Sequence, residues 1–137
     1  MALTVRTEEN RVAISKELQA IIEFVPQDFA DPAADFSAVR AMFAPFHGHP
    51  TSADFHVEIS RFGGVRSGVY ALQGAKNAWT AFHCHGGAFV STGLDEYHFY
   101  AEIIARQTGC RVVMPDYRRA PEHPYPAAPD DCFKAYC

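Results

Sequence analysis

The sequence is poor in most features that commit a chain to a special environment. It has no apolar run of the length needed to cross a bilayer. Its opening, MALTVRTEENRV, sets charges where the apolar core of a secretory leader would stand, so no leader is expected. Basic residues are not in excess: 12 Lys and Arg stand against 16 Asp and Glu, for a formal charge of −4. Nucleic acid and anionic membrane surfaces are therefore not expected partners. Cysteine is sparse, and Cys84, Cys110, Cys132 and Cys137 form neither a close-spaced ligand pair nor a secreted-domain framework. A reducing, cytoplasmic setting with buried or incidental thiols is expected. Glycine is limited to nine residues, which are adjacent only at Gly63-Gly64 and Gly86-Gly87.

What is present is a soluble globular composition, with 48% apolar and 20% charged residues in 137. That length suits one domain or a piece of one. From Val12, the apolar positions Ile14, Leu18, Ile21, Ile22 and Val25 make one face of a helix that Pro26 stops. Asp31-Pro32 reads as an N-cap with proline at the first helical position, and Phe36, Val39, Met42 and Phe43 line a second helix ending before Pro45. His47-Gly48-His49-Pro50 is a loop. Two histidines two apart, with no acid or thiol to complete a set, favour a solvated turn over a metal site.

Phe55, Val57 and Ile59 alternate with polar residues and predict a half-buried strand. Gly63-Gly64 turns the chain, and Gly68–Leu72 returns as the second arm of an antiparallel hairpin. A second turn over 74–77 leads to a strand expected to be buried, residues 78–84. Asp95 can cap a helix running to Thr108, with Tyr97, Tyr100, Ala101 and Ile104 on one face and Gly109 just past its end. Arg111–Met114 is a short buried strand, so strand, helix and strand form a βαβ unit with parallel strands. A loop with four prolines follows over 116–129, and a last helix begins near Asp130-Asp131, whose carboxylates suit a helix N-terminus.

The chemistry gathers where the strand over 78–84 gives way to His85-Gly86-Gly87. A strand ending in adjacent glycines before a helix brings bare backbone N–H groups close to whatever binds, which outlines an anion or oxyanion site. Two motifs flank the βαβ unit: His85-Gly86-Gly87-Ala88-Phe89 and Asp116-Tyr117-Arg118-Arg119-Ala120-Pro121-Glu122-His123-Pro124. Together, in this order and at this separation, they closely resemble the HGGG-type and DYRLAPE-type motifs of the hormone-sensitive-lipase-like (fold-3) branch of the α/β-hydrolases, a group of carboxylesterases and lipases. The stretch Tyr125-Pro126-Ala127-Ala128-Pro129-Asp130-Asp131-Cys132 continues the likeness. The resemblance runs from about Ala78 to Cys137 and is loose before that.

It implies an α/β class, with the N-terminal half of the hydrolase fold: cap-like helices over residues 1–54 and a partial core domain over 55–137. It implies a carboxylic ester hydrolase with no cofactor and no metal, acting on a small ester. The amides of Gly87 and Ala88 would donate to the oxyanion, Gly86 would let the turn form, and His85 would brace the loop. Asp116, Tyr117, Arg118 and Glu122 would hold the second loop beneath the site. Two positions depart from the commonest pattern. Ala88 stands for the third glycine, which keeps the donor but strains the turn if φ is positive there. Arg119 stands for the usual leucine.

Members of this group need a Ser on a G-x-S-x-G elbow, then Asp or Glu, then His. None of Ser15, Ser37, Ser52, Ser60, Ser67 and Ser91 lies in that pattern; Ser91 comes nearest, with Phe89 in the first glycine's place. No catalytic triad member is therefore assigned within these residues, and the chain alone is expected to be inactive. The strand over 78–84 would keep one edge open, from which self-association and marginal stability follow as expectations. Two other readings remain: a non-catalytic binding protein built on the half-fold, and a thiol or metal site at His83-Cys84-His85. Strand geometry weighs against the latter, because it turns Cys84 away from both histidines.

Overall fold

Only two residues separate the first two strands. β1 (Phe55–Phe62) and β2 (Val65–Leu72) pair antiparallel from Phe55↔Leu72 to Phe62↔Val65, across a turn made by Gly63 and Gly64 at φ 54° and 84°. Positive φ at both turn residues matches the right-handed strand twist and suits glycine. The computed structural model describes residues 15, 16, 19, 35–46, 48, 52–76 and 78–137. Contacts divide the chain into two units, Met1–Ala34 and Asp35–Cys137. In the first, Gln19 N–H donates to the Ser15 carbonyl at 2.9 Å, one helical turn. The rest of the expected first helix, the Asp31-Pro32 cap, and His47 and His49 of the loop lie outside the described residues.

In the second unit the order is α1 (Ser37–Phe43), a 3₁₀ turn (Ala44–Phe46), β1, β2, β3 (Thr80–Phe82), α2 (Leu94–Thr108), β4 (Arg111–Pro115) and α3 (Ala127–Tyr136). The sheet order is β1-β2-β4-β3, with β2 antiparallel and β3 parallel to β4. The hairpin and the parallel strand–helix–strand unit both stand as expected. One face of the sheet, through Tyr70, Val112 and Met114, packs on Leu94, Ala101 and Ala105 of α2, all fully buried. Burying each of the larger side chains stabilises the fold by roughly 1.5–3 kcal/mol. Tyr70 carries its polar end inward and meets that need with a 2.7 Å hydrogen bond to His98 Nδ1.

Several boundaries differ from the sequence reading, each for a local reason. β3 covers only Thr80–Phe82 and is half-exposed rather than buried, with Trp79 53% exposed, because among the described residues no strand pairs with its other edge. Its hydrogen bonding extends beyond the strand, from Arg111 N–H to the Trp79 carbonyl and from His83 N–H to the Val113 carbonyl. β2 begins three residues earlier than Gly68, since the glycine turn allows pairing from the first residue after it. α2 has Gly93 at its N-cap and no side-chain cap. Asp95 instead pairs with Arg66 at 2.9 Å, and Asp116 from the β4 exit takes the Leu94 N–H at 3.3 Å. Tyr100 leaves the buried face of α2 and is 44% exposed.

The first described helix runs on through Pro45 as a 3₁₀ turn, which needs no donor at that position. α3 starts at Ala127, three residues before Asp130, and buries Ala128, Asp131 and Ala135. Its last turn lies on the hairpin: a Cβ at Gly63 would sit 2.0 Å from the Lys134 carbonyl oxygen. Asp131 is therefore an interior ion-pair partner rather than a helix-terminus charge.

Candidate functional site

β3 and β4 are parallel, so both chains leave the sheet at the same end. The loop after β3 (residues 83–93) and the loop after β4 (residues 116–126) consequently lie side by side. The first has an unusual backbone. Gly87, Ala88, Phe89 and Thr92 all have positive φ, at 116°, 53°, 62° and 56°. Only Gly87 is a glycine, and it has to be: an added Cβ would fall 2.1 Å from the Ser91 carbonyl oxygen and 2.3 Å from Thr92 Oγ1. Ala88 does carry the strain anticipated for it, on the order of 1–2 kcal/mol for a left-handed non-glycine residue. The Gly87 carbonyl turns inward and accepts from Val90 N–H at 3.0 Å, Ser91 N–H at 2.9 Å and Ser91 Oγ at 3.1 Å. Among the described residues, no acceptor takes the N–H of Gly87 or of Ala88.

His85 is 3% exposed and holds the base of this loop. Its Nδ1 lies 2.9 Å from the Gly86 carbonyl, which can only accept, so the proton sits on Nδ1. Thr92 Oγ1 donates to the same carbonyl at 2.5 Å. The imidazole stacks on Tyr117 at 4.1 Å, nearly parallel at 10°, and Tyr117 OH donates to the His85 carbonyl at 2.6 Å. Burial holds the His85 imidazole below its ordinary range, against the opposing pull of the Gly86 carbonyl and Asp116, and so keeps the ring neutral. Burial likewise raises the Tyr117 phenol and keeps its proton in place as a donor. Ser91 is buried and spends its hydroxyl on Gly87.

The second loop is fastened by ion pairs. Arg66 of β2 reaches Asp116 at 2.7 Å. Arg118 forms a two-pronged pair with buried Asp131, Nε to Oδ2 at 2.7 Å and Nη2 to Oδ1 at 2.8 Å, and its backbone N–H adds a third bond at 3.0 Å. These bonds hold the Asp131 carboxyl below the usual carboxylate range. Glu122 receives both prongs of Arg40 at 2.6 and 2.7 Å, and Arg40 draws it down to about 2.

Arg40, from α1, bridges the loops. Beyond Glu122 it donates to the Val90 carbonyl of the first loop and the Ala120 carbonyl of the second, both at 2.8 Å. Arg119 also crosses between them, donating through Nη1 to the Thr92 carbonyl. The loops meet directly as well, where Ala120 N–H donates to the Phe89 carbonyl at 2.9 Å. Arg40, Arg66 and Thr92 carry no sequence signal of these roles, and the sequence marks Asp131 only as a helix-terminus charge. The partners of Arg40 lie 50 to 82 residues away, at separations no local pattern reports.

Beside the loops, Phe89, Ala120, His123, Tyr125, Ala128 and Pro129 line an apolar pocket of about 420 Å³. His83 stacks on Tyr100 at 5.3 Å and shares Tyr97 with His85, so the two histidines lie on the α2 side. Cys84 is exposed. No group of three His, Cys, Asp or Glu side chains able to hold a metal occurs among the described residues. No described helix is long and apolar enough to cross a membrane.

A family model described as the alpha/beta hydrolase fold matches residues 81–137. An esterase of Acinetobacter venetianus is 36% identical over 87 residues, 64% of this chain and 28% of the relative. Tuliposide A-converting enzyme b1 of Tulipa gesneriana is 46% identical over 54 residues, 38% of this chain and 14% of the relative. Among solved structures, an esterase from the bacterial hormone-sensitive lipase family is 30% identical with a TM-score of 0.68, over 91% of this chain and 42% of that one. A hormone-sensitive lipase from a metagenome library is 31% identical with a TM-score of 0.65, over 80% and 37%. The chain thus spans between 14% and 42% of the length of these relatives. The paired loop motifs, the sheet order and the likeness of sequence and structure make this chain similar to a fragment of the hormone-sensitive-lipase-like α/β-hydrolases.

Proposed function

We propose that this chain provides the oxyanion loop of a carboxylic ester hydrolase, with the N–H groups of Gly87 and Ala88 as donors to the tetrahedral intermediate. The observation that carries the reading is the pair of amides without an acceptor among the described residues, on a loop braced from beneath. Preorganised donors of this kind contribute on the order of 3–4 kcal/mol each to the barrier, because they need no reorientation as charge develops. The apolar pocket bordered by Phe89 suits the hydrocarbon part of an ester. His85, Gly86, Asp116, Tyr117, Arg118 and Glu122 act by holding the loop rather than by reacting. The division into cap-like helices over 1–54 and a partial core over 55–137 belongs to the same reading, as does a cytoplasmic setting.

In this reading the Ser-His-Asp triad is supplied by polypeptide outside these 137 residues, which hold no G-x-S-x-G, and the residues given are inactive by themselves. The edge of β3 that no strand among the described residues pairs with supports this, since a further parallel strand or a second copy of the chain would satisfy it. The test is to sequence the transcript past the Cys137 codon and translate all frames. The reading expects a strand ending in G-x-S-x-G within about thirty residues. If none appears, the reading gives way to the non-catalytic alternative, a binding protein built on the half-fold.

A further inference from the structure

The helix α3 crosses the exit of β3 in a register that brings two thiols together. Phe82 meets Tyr136 edge-on, with ring centroids 5.5 Å apart. The extended backbone continues past Phe82, held by the His83 N–H bond to Val113, so Cys84 points to the same face as Phe82 about 6.6 Å further along. On α3, Cys132 lies one turn before Tyr136, on the same helix face and about 6 Å back along the axis. The two steps match, so this register carries Cys84 and Cys132 to the same level of the strand–helix packing. Neighbouring contacts fix the far end: Asp131 is clamped by Arg118, and Tyr117 is bonded to His85. Burial, and then Cys84 as a neighbouring group, push the Cys132 thiol up to about 12. The other two cysteines are placed differently. Cys110 is buried against Thr108, and Cys137 is exposed beyond the end of α3.

We propose that Cys84 and Cys132 are a modification site that closes to a reversible disulfide when a low-molecular-weight disulfide such as oxidised glutathione serves as oxidant. The exposed Cys84, as thiolate, attacks one glutathione sulfur, forms a mixed disulfide and releases one glutathione thiolate. Cys132 then gives its proton to solvent and attacks the Cys84 sulfur, releasing the second glutathione as thiolate, which takes up a proton. Two protein thiols are oxidised by two electrons, one glutathione disulfide is reduced to two glutathiones, and the two thiol protons end on the products. The bond joins α3 to the residue immediately before His85 and so ties the helix to the base of the first loop. It rests on the register of α3 and β3, independently of the ester-hydrolase reading.

The four cysteines fall on four different tryptic peptides, Cys84 in Asn77–Arg106, Cys110 in Gln107–Arg111, Cys132 in Ala120–Lys134 and Cys137 in Ala135–Cys137. The chain is treated with oxidised glutathione in native buffer and, separately, in concentrated urea. Free thiols are then counted, and the digest is mapped by mass before and after reduction. The expected native result is a fall from four free thiols to two, with Asn77–Arg106 joined to Ala120–Lys134. Cys84→Ser and Cys132→Ser each abolish that product, whereas Cys110→Ser and Cys137→Ser leave it. In urea the pairing is mixed. A native digest that resembles the urea digest overturns the proposal, and so does a product joined through Cys137, an interchain dimer, a lasting glutathione adduct on Cys84, or no loss of thiols.

Discussion

The two loops that leave the parallel strands do opposite jobs. The loop after β3 has four residues at positive φ and amides without described acceptors, and much of its hold comes from groups elsewhere in the chain. The loop after β4 carries charged side chains that form ion pairs with β2, α1 and α3, and Tyr117, which stacks on His85 and bonds to its carbonyl. One presents backbone in a costly conformation, and the other keeps it there. A strained segment persists only where its surroundings over-determine it. Here Tyr117, Arg119 and Arg40 all bind its carbonyls and leave the Gly87 and Ala88 amides uncommitted.

The comparison breaks hardest at Gly87. Gly87→Ala combines φ 116° with a Cβ 2.1 Å from a backbone oxygen, so more than about 3 kcal/mol of stability should be lost, read as a lower urea midpoint. If the midpoint stays put, the loop is not held as described.

Next comes the brace. Asp131→Ala leaves the Arg118 backbone N–H and guanidinium without their acceptor, for an expected loss of about 2 kcal/mol, discounted because the Arg118 side chain is 46% exposed. An effect below a few tenths would mean that α3 does not anchor the second loop.

Titration probes the base of the first loop. Burial lowers the affinity of His83, His85 and His98 for protons in the folded chain, while the unfolded chain binds them near the ordinary value of 6.5. The unfolded state therefore binds more protons below that pH. The stabilisation is complete above 6.5 and falls as the solution is acidified. Denaturation midpoints measured from pH 7.5 down to 5 should decline, less steeply in His85→Gln; identical slopes would show that the His85 ring is not held neutral.

The smallest change has the opposite sign. Ala88→Gly relieves a residue at φ 53° but adds freedom to the unfolded chain, leaving a net gain of about 0.5–1 kcal/mol. A loss at this position would place Ala88 outside the left-handed region.

Fold and site were legible to different depths in the sequence. Alternation over Phe55–Ile59 and the Gly63-Gly64 pair were enough for the hairpin, and the apolar spacing from Tyr97 with Gly109 after it was enough for α2. The paired motifs named the two loops. Periodicity could not show which end of a helix a carboxylate serves, because Asp131 has the sequence context of a cap and the contacts of a buried ion pair. Nor could it find Arg40, whose role depends on three partners 50 to 82 residues away. Arg119 looked like a departure from the motif; in three dimensions its guanidinium reaches the Thr92 carbonyl of the other loop, a role leucine could not fill.

The central claim is that the first loop serves ester hydrolysis with a nucleophile from elsewhere. It is tested most directly by mixing this chain with the complementary C-terminal portion of a hormone-sensitive-lipase-like esterase, confirming by co-elution that the two associate, and following p-nitrophenyl acetate hydrolysis. The account predicts background rates for each piece alone and turnover in the complex that is lost when the elbow serine is replaced by alanine. Turnover by this chain alone, or an associated complex with no turnover, would contradict it.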